Sequence, residues 1–432
     1  MAESFDKMKV EFTGHEESVQ ALAEAFHDSG EVPERYIRPE IDADPLAADA
    51  GGHALPTIDM SRLLDPEFSA EESAKLGSAC EHWGFFQLVN HGVDGGLLGQ
   101  TKADVAEFFG LPPEEKSAVA IPPNGMQGFG HHFVFSKEQK LDWVDLLFLA
   151  TRPAQERCLD FWPTKPSTFR DTLDKYTTEL ASVAEQLFRF MAKDLGIDQE
   201  ALLGTFKGLP QCVRINYYPP CRQAGKVLGL SPHTDGVGMT LLLHANDVQG
   251  LQVRKDGEWF SVDALPGALV VNIGDVLEIL SNGKYRSIEH RAVVNPDKER
   301  ITIAAFHSVH LPCTIGPFQQ LGDARYKTVD GLDFTKGYFA AKLEGRSYRR
   351  TPILKMRVLA VVNSVCRAAI LLRLLLTLES KKASISATFA PSSLIKASLH
   401  DCNTDENRGK FLCAYKPSST TLAPVTLVSE SS

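Results

Sequence analysis

The chain has 432 residues, 43% of them hydrophobic and 23% charged, with a formal net charge of −10. This is the composition of a globular protein long enough for one large domain or two, and its acidic balance argues against nucleic acid or an anionic membrane surface as a partner. The start, Met1-Ala2-Glu3-Ser4-Phe5-Asp6-Lys7, has neither the basic residues nor the apolar run of a signal peptide, and the eight cysteines show neither C-x-x-C nor framework spacing. They read as reduced thiols of a cytoplasmic protein.

Residues 1–54 read as a helical arm, Ser18 to Phe26, then a Pro-containing segment and an Ala-, Asp- and Gly-rich link from Asp42 to His53. The next region, 55–165, opens with a short strand, a helix from Ala70 to His82 and a strand of bulky residues that should be buried on both faces. Helical periods run from Gly95 to Gly110 and from Arg170 to Gly196. In the second, within residues 166–205, Leu173, Tyr176, Leu180, Val183, Leu187 and Met191 form one apolar stripe, expected to pack on a sheet. Between the helices, Gly128 to His132 reads as a loop over a pocket mouth. Adjacent side chains there point apart, so His131 and His132 cannot both face one ion.

Over 206–312 the rhythm changes to short strands: Val213–Tyr218, Thr240–Leu243, Leu251–Arg254, Trp259–Val262, Leu269–Ile273, Tyr285–Val294 and Arg300–His307. Lys255-Asp256-Gly257-Glu258 is a hairpin signal, and the whole pattern suggests a sandwich or barrel. A helical segment at 313–350 precedes an atypical tail, 351–432, expected to be poorly ordered. Val358–Leu378 is near membrane-span length. Arg367 and Arg373 lie inside it, though, at about 2.5–3.5 kcal/mol each near a bilayer centre, so no membrane anchor is expected.

The chemistry concentrates in Leu230-Ser231-Pro232-His233-Thr234-Asp235-Gly236, with Glu289-His290-Arg291 and Arg300-Ile301-Thr302 downstream. In an extended segment His233 and Asp235 leave on the same face and can reach one ion, while two His and one carboxylate suit non-haem Fe(II) with positions left open. The turn signal Asn295-Pro296-Asp297 predicts a hairpin that sets residue 290 opposite residue 300. His290, Arg300, Thr302 and Phe306 would then share a face, with His307 turned away. Arg300 with a hydroxyl at i+2 offers a carboxylate a bidentate fork and one further donor.

These residues, together with Leu55-Pro56-Thr57-Ile58-Asp59-Met60, Glu81 to Val93, Lys140-Leu141-Asp142-Trp143, Asn216-Tyr217-Tyr218-Pro219-Pro220-Cys221, Asn272-Ile273-Gly274-Asp275 and Tyr285 to Arg291, carry a family resemblance. Over roughly residues 1–350 the chain resembles the plant 2-oxoglutarate- and Fe(II)-dependent dioxygenases, in the branch of senescence-related dioxygenases and alkaloid O-demethylases. The resemblance implies an α+β fold, a distorted jelly roll (double-stranded β-helix) core with flanking helices. It implies that His233, Asp235 and His290 hold Fe(II), and that Arg300, Thr302, Tyr218 and Asn216 bind the 2-oxoglutarate co-substrate. Ascorbate would be the reductant. Thr302 stands where the family usually has Ser, which keeps the hydroxyl.

His91, beside Gly92, takes a turn role by the same resemblance, and His244 and His310 are read as structural. Phe306, Phe148 and Arg214 suit an aromatic plant metabolite, which would be hydroxylated, desaturated or O-demethylated with release of succinate and CO2. The partners implied are that small molecule and dioxygen, for a monomer. Two other readings stay open: a catalytically silent binding protein of this fold, and an Fe(II) oxidase that does not use 2-oxoglutarate. Metal-dependent co-substrate turnover separates them.

Overall fold

A computed structural model describes residues 17–26, 30–41, 46 and 55–343, apart from 124, 133, 135 and 137. The expected link Asp42–His53, except Leu46, and the tail 351–432 lie outside the described residues. In chain order the elements are α1 (Val19–Ala25), β1 (Thr57–Asp59), α2 (Met60–Leu64), α3 (Ser69–His82), β2 (Phe85–Val89), α4 (Gly95–Phe109) and α5 (Pro113–Ser117). Then come β3 (Gly128–Gly130), β4 (Asp145–Arg152), α6 (Phe169–Leu195), α7 (Gln199–Thr205), β5 (Gln211–Tyr218), β6 (Leu230–His233) and β7 (Met239–His244). The remainder is β8 (Leu251–Lys255), β9 (Glu258–Ser261), β10 (Leu269–Ile273), α8 (Asp275–Leu280), β11 (His290–Ala292), β12 (Arg300–His307), β13 (Thr314–Ile315), β14 (Val329–Asp330) and α9 (Gly331–Leu343). None of the described helices is long and apolar enough to cross a membrane.

Two sheets make the core. One has eight strands in the order β1-β2-β10-β7-β12-β5-β4-β3, the other four in the order β6-β11-β8-β9, as in a jelly roll with helices around it. Side chains alternate across each strand, and here both faces are used. Val213, Ile215 and Tyr217 of β5, with Ile301, Ile303 and Ala305 of β12 and Leu241 and Leu243 of β7, join the main apolar core. That core includes the whole predicted stripe of α6, and the helix ends at Gly196 in the left-handed conformation with φ 68°. The opposite faces of the same strands, Arg214, Asn216, Tyr218, Arg300, Thr302 and Thr240 among them, line a cavity closed at one side by α9.

The Asp256-Gly257 turn joins β8 to β9 with φ of 52° and 97°, as a two-residue hairpin of that sequence requires. The expected hairpin between Tyr285–Val294 and Arg300–His307 does not form. The strand is only His290–Ala292, and it pairs with β6 and β8 in the small sheet, whereas β12 pairs with β5 and β7 in the large one. The segment through Asn295 crosses between sheets instead of turning back, so residue 290 faces residue 300 across the cavity rather than along a ladder. Packing between sheets, invisible to a local turn signal, decides this.

Candidate active site

His233 ends β6, His290 begins β11, and the two are register partners, so one rung of the small sheet delivers both imidazoles. Each Nδ1 lies at a backbone carbonyl, Ser231 O at 2.8 Å and Ile288 O at 3.1 Å. A carbonyl only accepts, so each Nδ1 carries the proton and each Nε2 presents a lone pair. The Nε2 atoms stand 3.6 Å and 3.8 Å from Asp235 Oδ1. Three acceptor atoms thus converge within 4.8 Å with no hydrogen bond among them, an arrangement that calls for a cation.

Asp235 is fixed from behind. Its Oδ2 accepts from Thr240 Oγ1 at 2.7 Å and Asn272 Nδ2 at 2.8 Å, which leaves Oδ1 for the ion. Burial pushes this carboxyl's pKa up, but the positive charge of His290 and His233 in their protonated, metal-free form, together with those two donors, outweighs it, and the group is a carboxylate. Thr240 and Asn272 escaped the sequence reading as site residues. The signal available was their parity on β7 and β10, which sets both on the cavity face. Tyr338 was missed as well: from α9 it donates to the Thr234 carbonyl at 2.9 Å, and its ring lies against Gly236, where an added Cβ would stand 2.7 Å from it.

The other wall comes from β5 and β12, whose register sets Arg300 against Tyr218, Thr302 against Asn216, Ala304 against Arg214 and Phe306 against Cys212. Arg300 is 2% exposed, lies over the Tyr218 ring at 5.2 Å, and its Nε has no hydrogen-bond partner among the described residues. Burial lowers its pKa, opposed by Tyr218. An orphaned buried donor of this kind is costly unless an acceptor comes to it, and a carboxylate reaching down the cavity meets that need. The fork, the Thr302 hydroxyl and the Tyr218 phenol therefore fit the far end of a dicarboxylate, and the His-Asp-His donors fit Fe(II).

Two family models match the chain: the 2OG-Fe(II) oxygenase superfamily over residues 209–309, and the N-terminal region of the non-haem dioxygenases in morphine synthesis over 55–165. A 2-oxoglutarate-dependent dioxygenase 11 of Oryza sativa subsp. japonica is 50% identical over 344 residues, 78% of this chain and 96% of the relative. The chain belongs to the 2OG-Fe(II) oxygenase superfamily. Codeine O-demethylase of Papaver somniferum is 40% identical, covering 77% of this chain and 94% of the relative. The crystal structure of JOX2 in complex with 2OG, Fe and JA superposes with a TM-score of 0.69 at 36% identity, over 76% of this chain and 94% of that one. The chain is a 2-oxoglutarate-dependent dioxygenase of this plant branch, with the jelly-roll fold that the family resemblance implied.

Phe148 and Phe306 both line the cavity, as does Arg214, which is 9% exposed. His132 joins them, its ring 5.0 Å from that of Phe148, while His131 lies by Asp145 at 3.7 Å, so the doublet divides as adjacent residues must. His91 sits between two residues of positive φ, Asn90 and Gly92, and bonds the Gly267 carbonyl at 2.9 Å, in a turn role. His307 points away from the cavity, to Gln211 at 3.0 Å.

Proposed function

We propose that the enzyme oxidises a C–H bond of a small aromatic plant metabolite, by hydroxylation, desaturation or O-demethylation, while 2-oxoglutarate is converted to succinate and CO2. The observation that carries this reading is the pairing of a facial His233-Asp235-His290 set with a buried guanidinium on the opposite wall of one cavity. When bound, Fe(II), 2-oxoglutarate and dioxygen together supply the oxidising power that removes hydrogen from the substrate. In this reading the two imidazoles and Asp235 Oδ1 hold the metal from one side. Arg300, Thr302, Tyr218 and Asn216 grip the distal carboxylate, so that the co-substrate's other end extends toward the metal side.

The substrate lies between Phe148 and Phe306, with Arg214 facing its polar group, and α9 excludes water from above. The chain's residues need move no proton in the oxidation: they position, orient and keep the site dry. Names among the relatives, codeine O-demethylase and flavonoid 7-O-demethylase, support an aromatic ring bearing oxygen as the substrate class.

The test is succinate release by the Fe(II)-loaded protein with 2-oxoglutarate and ascorbate as reductant, with and without a pool of plant phenolics and alkaloids. Stimulation by the pool is expected, and fractionating the pool leads to the substrate. His233→Ala removes one of the three donors and is expected to abolish turnover, with full activity in that variant overturning the metal assignment.

A further inference from the structure

A chain of side-chain hydrogen bonds leads from the substrate part of the cavity to the co-substrate part. Arg214 Nε donates to Asn216 Oδ1 at 2.7 Å, and Asn216 Nδ2 donates to Thr302 Oγ1 at 3.2 Å. The direction is fixed by chemistry, because Arg Nε–H can only donate, so the atom facing it is the amide oxygen and the amide nitrogen is turned to Thr302. Thr302 Oγ1 thereby accepts, and its one proton is released for a different acceptor. At 1% exposure, on the cavity wall, the direction open to that proton is the cavity.

We infer that Arg214 is a positioning residue for the co-substrate: through Asn216 it sets the Thr302 hydroxyl to donate into the carboxylate site beside Arg300. The inference rests on the proposed binding of 2-oxoglutarate at Arg300 and goes beyond it, since Arg214 stands four rungs from Arg300 along the sheet and acts without touching the co-substrate. Burial explains why the relay holds. Asn216 is 4% exposed and has both ends of its amide engaged, so rotating it would leave buried groups without partners. Arg214 has no carboxylate ion-pair partner among the described residues, and its side chain, held by the Asn216 bond, lines the cavity. A substrate oxygen meeting it would share a side chain with the relay, which links occupancy of one subsite to affinity in the other, reciprocally.

The experiment is a double-mutant cycle read by binding rather than turnover. 2-Oxoglutarate is titrated anaerobically into the Fe(II)-loaded full chain, by calorimetry and by the visible charge-transfer absorption of the bound keto acid. Arg214→Met is expected to weaken 2-oxoglutarate about threefold to tenfold, the range of one net hydrogen bond, with Fe(II) affinity unchanged. In the Thr302→Val background, which has no hydroxyl to orient, the same change is expected to cost almost nothing. If instead the two losses multiply in the double variant, Arg214 acts by charge alone and the relay is overturned. If Arg214→Met fails to fold, the cycle is run between Arg214→Leu and Thr302→Val with the same two outcomes. Failure of the wild-type chain to bind 2-oxoglutarate at all would overturn the underlying reading, and is distinguishable from normal binding with multiplying losses.

Discussion

Arg300 brings a guanidinium to a place where no acceptor among the described residues meets its Nε, and that geometry decides what a conservative change would do. A lysine keeps the charge but offers one ammonium in place of a planar fork, and it is also the more strongly hydrated ion. Arg300→Lys is expected to weaken 2-oxoglutarate at least about tenfold while Fe(II) affinity holds, since a charge-assisted bond contributes about 1.5–3 kcal/mol. Calorimetric titration of each ligand checks this, and unchanged co-substrate affinity would remove Arg300 from its role.

His307 carries a different expectation. Fully buried, its imidazole is pushed down to about 4 chiefly by desolvation, so the folded state holds it neutral. The unfolded chain takes up the proton near pH 6.5, and stability present above that pH is lost as pH falls toward about 4, by at most about 3 kcal/mol. His307→Leu should flatten the fall of Tm across that window, and an unchanged slope would assign the acid sensitivity elsewhere. At this scale the sequence was informative because ligand chemistry is local: H-x-D spacing and Arg with a hydroxyl at i+2 name side chains directly. For Thr240 and Asn272 parity could name a face but not a role, because a donor to Asp235 is defined by which strand lies next to it.

Among the elements, the periodic ones were the legible ones. The stripe of α6 and the alternation on β12 each report a face, and the faces turned out as the periods require. The pairing of β11 did not follow, because Asn295-Pro296-Asp297 signals a bend without saying whether the chain returns or crosses to another sheet. Neither β6 nor α8 was foreseen, and both matter to the metal. The turn from β10 into α8 packs on the Asp235 loop so closely that a Cβ at Gly274 would stand 2.1 Å from the Val237 carbonyl oxygen, and Asp275 N donates to Asp235 O at 2.7 Å. Because that contact is backbone to backbone, the loop must shift if Gly274 gains a side chain. Gly274→Ala is therefore expected to lower Fe(II) affinity by an order of magnitude or more, measured by metal titration, while the circular dichroism of the sheet core persists. Unaltered metal affinity would show that the loop is held by Thr240 and Asn272 alone.

For the whole molecule, the two sheets act as two jaws. The small sheet carries both histidines on one rung, the large sheet carries the guanidinium, and neither holds the chemistry by itself. This explains why the expected hairpin pairing, which does not form, still named residues that share one cavity: the two groups meet through the cavity whichever ladder they belong to. It also bears on how much chain the enzyme needs. The rice relative is 96% covered by 344 aligned residues, so it carries little chain outside the aligned region, and α9, which supplies Tyr338 to the Thr234 carbonyl, ends at Leu343. A chain ending at Arg349 retains both jaws and this closing helix. It is expected to bind Fe(II) and 2-oxoglutarate as the full chain does and to release succinate at a rate within about twofold of it. Succinate assays on the two lengths side by side check this. Activity confined to the full chain would make residues 350–432 part of the working enzyme, and activity confined to the shorter one would make them an inhibitor of it.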